Sequence, residues 1–113
     1  MKITVLLIRT VPRHELLCSL DDVIREASRC LKSKGKMYMV HRPNRLVDIF
    51  DTMRKYHLEP KRMRLVYPYV NKAANMVLIE AVKGGNSQLI VEEPLIVYKT
   101  DGTYTDALLK MYE

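Results

Sequence analysis

The sequence predicts an α/β fold built on a mixed sheet with flanking helices. Strand-like apolar stretches occur at residues 2–9, 37–40, 63–67 and 76–82, separated by segments of helical period. The order is strand, helix, strand, helix, then strands joined by short connections. Alternation of strand and helix implies parallel crossovers. Two late strands joined only by a short loop must instead run antiparallel. The chain has 113 residues, 48% hydrophobic and 28% charged, which suits one globular domain over residues 1–113. No apolar run approaches the roughly 20 residues of a membrane span, so no membrane is expected. Two cysteines, Cys18 and Cys30, make neither a disulfide framework nor a metal-ligand pattern. They point to a reducing, cytoplasmic setting with no metal.

Each element has its own signals. Ile3, Val5 and Leu7 alternate over Lys2–Arg9 and predict an N-terminal strand. Ser19 is a good N-cap, with Asp22 three residues later giving an approximate capping box. Leu20, Val23, Ile24, Ala27, Cys30 and Leu31 then form one apolar stripe. Gly35 suits the left-handed position after that helix. Met37-Tyr38-Met39-Val40 is a short buried strand ended by His41-Arg42-Pro43. Asn44 is the expected cap of a second helix, with Leu46, Val47, Ile49, Phe50, Met53 and Tyr56 on one side. Pro60 is expected to end that region. Met63–Tyr67 predicts a strand, residues 69–75 a polar loop, and Met76–Val82 the clearest strand. Gly84-Gly85-Asn86 predicts a turn into a hairpin partner at Gln88–Glu92. Thr103 or Thr105 caps a last helix reaching Met111.

The formal charge of +6 is unevenly spread. Arg42–Lys72 holds eight basic and three acidic residues, a net of +5. Such a cluster attracts polyanions, phosphate above all; a solvated basic face is the plainer account. His14 and His41 have no nucleophile or metal partner nearby in sequence, so both are expected to be structural. Cys30 and the methionines Met37, Met39, Met53, Met63 and Met76 are expected to fill the core.

Several short motifs, in order, carry a family resemblance. They are Arg13-His14-Glu15, His41-Arg42-Pro43-Asn44-Arg45-Leu46, Pro60-Lys61-Arg62-Met63-Arg64-Leu65-Val66-Tyr67-Pro68 and Asn75-Met76-Val77-Leu78-Ile79-Glu80. Pro94-Leu95-Ile96-Val97-Tyr98 and Asp101-Gly102-Thr103-Tyr104-Thr105 add to them. Together, over about residues 13–113, they resemble the C-terminal part of a class I S-adenosylmethionine-dependent methyltransferase of the bacterial tRNA(Val) adenine-N6-methyltransferase-like family. The resemblance implies a partial Rossmann-like sheet with a closing antiparallel strand, S-adenosylmethionine as the parent family's cofactor, and tRNA as partner.

The departures are equally specific. That family carries a glycine-rich cofactor loop and an Asn-Pro-Pro-Tyr motif that holds the target amine; this sequence has neither, and residues 1–12 diverge. Catalytic and cofactor-binding residues are therefore expected to be absent, and no cofactor is expected for the chain alone. Lys2–Arg9 is expected to stand in for the missing fourth strand. The resemblance makes Arg42, Arg45 and Lys72 candidate phosphate contacts and Tyr67 or Tyr69 candidate base-stacking residues. Lys61, Arg62 and Arg64 are candidates in a second patch along their strand. A small RNA-binding module or a structural remnant are the alternatives. An uncovered sheet edge or helix face is expected to drive homo-oligomerisation, through Lys2–Arg9 or the helices.

Overall fold

The computed structural model describes residues Ser19–Met111. The expected strand at Lys2–Arg9, with His14 and Cys18, lies outside the described residues.

Helix α1 (Leu20–Cys30) begins as its sequence dictates. The Asp22 N–H donates to Ser19 Oγ at 3.1 Å, and the Ser19 N–H donates to the Asp22 carboxylate at 3.3 Å, a complete capping box. The buried stripe is Leu20, Ile24, Ala27 and Ser28. Cys30 is exposed, a correction to the core expectation. Its place on the inner face is taken by Ser28, four residues after Ile24, whose hydroxyl donates to the Tyr56 carbonyl at 2.6 Å. The helix closes before Leu31, and the left-handed residue beyond it is Lys34, at φ 71°, not Gly35.

Strand β1 (Lys36–His41) buries Met37, Met39 and His41 on one side. A 3-10 turn (Pro43–Arg45) leads into helix α2 (Leu46–Lys55). Asn44 lies inside that turn and is not the cap, because Pro43 already sets the helical φ one residue earlier. Ile49 and Met53 are the buried residues of α2, whereas Val47, expected on the same side, is 80% exposed.

Strand β2 (Leu58–Tyr67) starts before Pro60 rather than after it. Proline lacks a ladder donor, and the register shifts between Pro60 and Arg62, so a bulge accommodates it. Strand β3 (Met76–Lys83) is antiparallel to both β1 and β2 and lies between them. Strands β1 and β2 are thus parallel, linked by a crossover through α2.

The expected hairpin at Gln88–Glu92 does not form. Strand β4 (Ile90–Val91) and strand β5 (Leu95–Ile96) instead run parallel to β2 along its outer edge. The physical reason lies in the turn. Gly84, at φ 68°, donates its N–H to the His57 carbonyl at 2.9 Å, so it ties the end of β3 to the start of β2 instead of closing a tight hairpin. Helix α3 (Asp106–Met111) follows Thr105, whose Oγ1 accepts the Leu108 N–H at 3.3 Å, as the cap signal predicts.

Helices α1 and α2 cover one face of the sheet. The core joins Leu20, Ile24 and Ala27 of α1, Ile49 and Met53 of α2, and Met37, Met39, Met63, Val77, Ile79 and Ala81 of the strands. The opposite face carries Tyr38 and Val40, Leu78 and Glu80, and Arg62 and Arg64 in adjacent rows. At its upper end the C-terminal segment lies alongside, and Leu95 and Leu108 line a cavity of about 520 Å³ with Val66 and Met76.

A polar strut joins the two helices. The Tyr56 hydroxyl donates to Asp21 at 2.7 Å and Lys55 Nζ to the same carboxylate at 3.1 Å. The Tyr56 hydrogen bond, then Lys55, holds the Asp21 carboxyl below the ordinary carboxylate range. A folded-state value below the unfolded one gives stability that is present above the unfolded value, about 3.9, and lost as pH falls through the lowered one. Urea midpoints followed from about pH 5 to 2 should therefore fall less steeply in Asp21→Asn than in the parent chain. Equal slopes would show that the strut contributes nothing.

Candidate nucleic-acid interface

The carboxyl ends of parallel strands are where open α/β sheets hold ligands, because the connecting loops converge there. At this edge β1 delivers His41 and Arg42, β2 delivers Tyr67 and Pro68, and the loop from Tyr69 returns to β3 past Lys72. Arg42 and Lys72 are exposed here. His41 is 3% exposed, and its Nδ1 accepts the Arg42 N–H at 2.8 Å, which fixes the chain as it leaves β1. That is the structural role expected of it.

The eight candidate residues divide into three places. Arg42, Tyr67, Tyr69 and Lys72 share the carboxyl edge. Arg45 sits at the start of α2 and donates to Asp48 at 3.0 Å. Arg62 and Arg64 lie mid-strand on the open sheet face, and Lys61 donates to the Asn86 carbonyl at 2.7 Å. Arg62 donates from Nε to Glu92 at 2.7 Å and again from Nη2 to the same oxygen, with Glu80 4.0 Å away. The Glu92 hydrogen bond, ahead of its charge, raises the Arg62 guanidinium pKa. Arg64 Nε donates to the Glu93 carbonyl at 3.0 Å. A shallow depression of about 340 Å³ opens around Tyr38, Val40, Leu78 and these arginines.

Among the described residues, four of the eight basic residues in the Arg42–Lys72 segment have carboxylate partners: Arg45 with Asp48, Arg54 with Glu59, Lys55 with Asp21, and Arg62 with Glu92. Two of those acids, Asp21 and Glu92, lie outside the segment. The local excess of positive charge is therefore smaller than the linear run suggests.

Sequence reading missed Tyr98 and Tyr104. Tyr98 stacks between Tyr69 and Tyr104, with ring centroids 5.4 Å apart on each side. Two tyrosines flanking Asp101-Gly102 are the signal, since a turn between them sets the rings across a narrow ladder.

The test for a cofactor site is the strand-to-helix turn. S-adenosylmethionine needs close backbone approach and an acidic partner for its ribose. Among the described residues, the turn from β1 into α2 reads Arg42-Pro43-Asn44-Arg45, with no glycine to let the backbone approach such a group. These residues do not fit the group. Among the described residues no group of three or more His, Cys, Asp or Glu could hold a metal ion, and no helix is long and apolar enough to cross a membrane.

No family model matches the chain, and no curated protein matches it. The solved structures do offer a neighbour. The crystal structure of a predicted O-methyltransferase, protein Atu636 from Agrobacterium tumefaciens, matches 96% of this chain at a TM-score of 0.79 and 22% identity. The chain has a methyltransferase-like fold. It spans about half, 49%, of that neighbour's chain. The methyltransferase-like architecture accounts for the inserted β3 and for two helices on one face of a mixed sheet.

Proposed function

We propose that this chain is the substrate-side half of an S-adenosylmethionine-dependent RNA methyltransferase of the tRNA adenine-N6 type, inactive alone. The observation that carries the reading is the β1-β3-β2 order, with its antiparallel strand between two parallel ones, in a chain that matches 49% of a methyltransferase-like neighbour. The adenine-N6 assignment rests on the motif resemblance around His41–Leu46 and Pro60–Pro68. Arg42 and Lys72 contact tRNA phosphates at the carboxyl edge, and the grip on the cofactor comes from elsewhere. When bound, the cofactor supplies the methyl group; this chain's residues position the RNA. A non-catalytic RNA-binding module is the second reading, favoured by the glycine-free turn at Arg42–Arg45.

Two titrations test this. Calorimetry of the chain with S-adenosylmethionine should give no binding heat; micromolar affinity would overturn the incomplete-half reading. Binding to tRNA should weaken steeply as salt rises, and Lys72→Gln should reduce the slope of log K against log salt by about 1. No tRNA binding at low salt would overturn the RNA reading. Methyl transfer to tRNA on adding the complementary half of such an enzyme decides for the first reading over the second.

A further inference from the structure

We infer that the Tyr69–Tyr98–Tyr104 stack is a platform for an unpaired base of single-stranded RNA. The inference rests on the RNA reading above and assigns a site within it.

The stack is built, not incidental. The Tyr98 N–H donates to the Pro68 carbonyl at 2.9 Å and the Val97 N–H to the Tyr67 carbonyl at 2.8 Å, which pins this segment to the carboxyl end of β2. Tyr98 and Tyr104 form an antiparallel bridge, and the Lys99 N–H donates to the Thr103 carbonyl at 2.7 Å. The turn between them is held by Asp101, whose carboxylate accepts from the Thr103 N–H at 3.0 Å and the Thr103 hydroxyl at 2.7 Å. Tyr69 lies in the loop that returns to β3, and its carbonyl accepts the Lys72 N–H at 3.1 Å. Three rings thus come from two separate connections, each fixed by backbone bonds.

Tyr104 is stacked on Tyr98, and Tyr69 is tilted against it. Tyr98 and Tyr104 are inclined by 20° and Tyr69 and Tyr98 by 30°, with centroids 5.4 Å apart in both pairs. Tyr104, at the end of the row, is 51% exposed. Tyr98 and Tyr104 also line an apolar cavity with Leu95, Val97 and Leu108, and half of Tyr104 remains open to solvent beyond it. A ring already held by its neighbours loses little side-chain freedom when a base covers it. Any base has a π-face, so the platform tolerates sequence.

The charges are mixed but favourable in position. Lys72 is exposed beside Tyr69. Lys99 adjoins Tyr98, with Asp106 4.0 Å away and 97% exposed. The Asp101 carboxylate is engaged in its turn. Lysines beside a stack supply the phosphate contact that a splayed base requires. Duplex RNA presents no free base face, so the platform selects single strands.

The test uses the full chain and two fluorescein-labelled RNAs, oligoadenylate of about a dozen nucleotides and a duplex of similar length. Oligoadenylate should bind more tightly than the duplex. Tyr104→Ser should weaken it by about tenfold and leave the duplex unchanged, at a temperature where the variant's circular dichroism shows it still folded, while Tyr104→Phe should retain affinity. Adding oligoadenylate should also shift the Tyr104 ring proton resonances upfield. If Tyr104→Ser binds oligoadenylate as the parent does, or the ring resonances do not move, the platform is overturned. Loss of affinity only in Lys72→Gln would overturn the platform and keep the RNA reading; no binding of tRNA or either probe by the parent chain would remove both.

Discussion

Replacing Ile49 by alanine is expected to remove about 3 kcal/mol of folding stability. Ile49 is fully buried on the inner face of α2, next to Met53, in the core that α1, α2 and the sheet share. A ten-residue helix is marginal by itself in water, so α2 holds its shape because this face is packed. Truncation removes three buried carbons and leaves a void that rigid strands do not collapse into. With a typical total of about 5–15 kcal/mol, the loss is large. At an m-value of about 2 kcal/mol per molar, the urea midpoint should drop by roughly 1.5 M. Val47, two residues earlier and 80% exposed, is the control, and Val47→Ala should stay within about 0.5 kcal/mol. Equal effects at the two positions would mean that α2 does not lie on the sheet through Ile49.

What could be read from the sequence follows the range of the interaction that decides it. The capping box at Ser19 and Asp22, the inner row of Met37 and Met39, and the strand at Val77–Ile79 depend on neighbours within a turn or a strand, and these agree with the structure. Errors came where a distant partner decides. Pro60 reads as a breaker until the bulge opposite Ala81 is known. The glycines at 84 and 85 read as a hairpin turn until Gly84 is seen bonded to His57. Cys30 fits a helical stripe, but Ser28 has a hydrogen bond to make at Tyr56 and takes the inner place. The site follows the same rule. Arg42 and Lys72 are exposed at the carboxyl edge, as topology requires. Arg62 reads as a free cation because its partners, Glu80 and Glu92, lie 18 and 30 residues away. The cluster of Tyr69, Tyr98 and Tyr104 was invisible in the sequence because Tyr69 meets Tyr98 from a different loop, 29 residues earlier in the chain.

Lys83 provides the second large effect, and Lys83→Met is expected to lower stability by about 2 kcal/mol. Its ammonium, at the end of β3, reaches the C-terminus of α1 and donates to the Ser28 carbonyl at 2.5 Å and the Leu31 carbonyl at 2.9 Å. The Ser28 carbonyl lies in the last turn, where it also accepts the Leu31 N–H, and the Leu31 carbonyl lies at the cap just beyond, where the helix dipole favours a cation. Methionine keeps the length and apolar stem of the side chain while removing the charge and its donors, so the loss reports the polar contacts alone. The effect should spread beyond one bond. The Lys83 backbone pairs with the chain between α1 and β1, donating to Gly35 and accepting from Lys34, while Gly84 next to it holds His57 and Ser28 holds Tyr56. The ends of α1, α2 and β3 therefore meet around one ammonium group. Amide hydrogen exchange should quicken at Lys34, Gly84 and Leu31 together in Lys83→Met, with no comparable change in Lys32→Met, whose side chain is exposed. If exchange quickened at Leu31 alone, Lys83 would be a helix cap and nothing more, and the junction would owe its order to the backbone bonds.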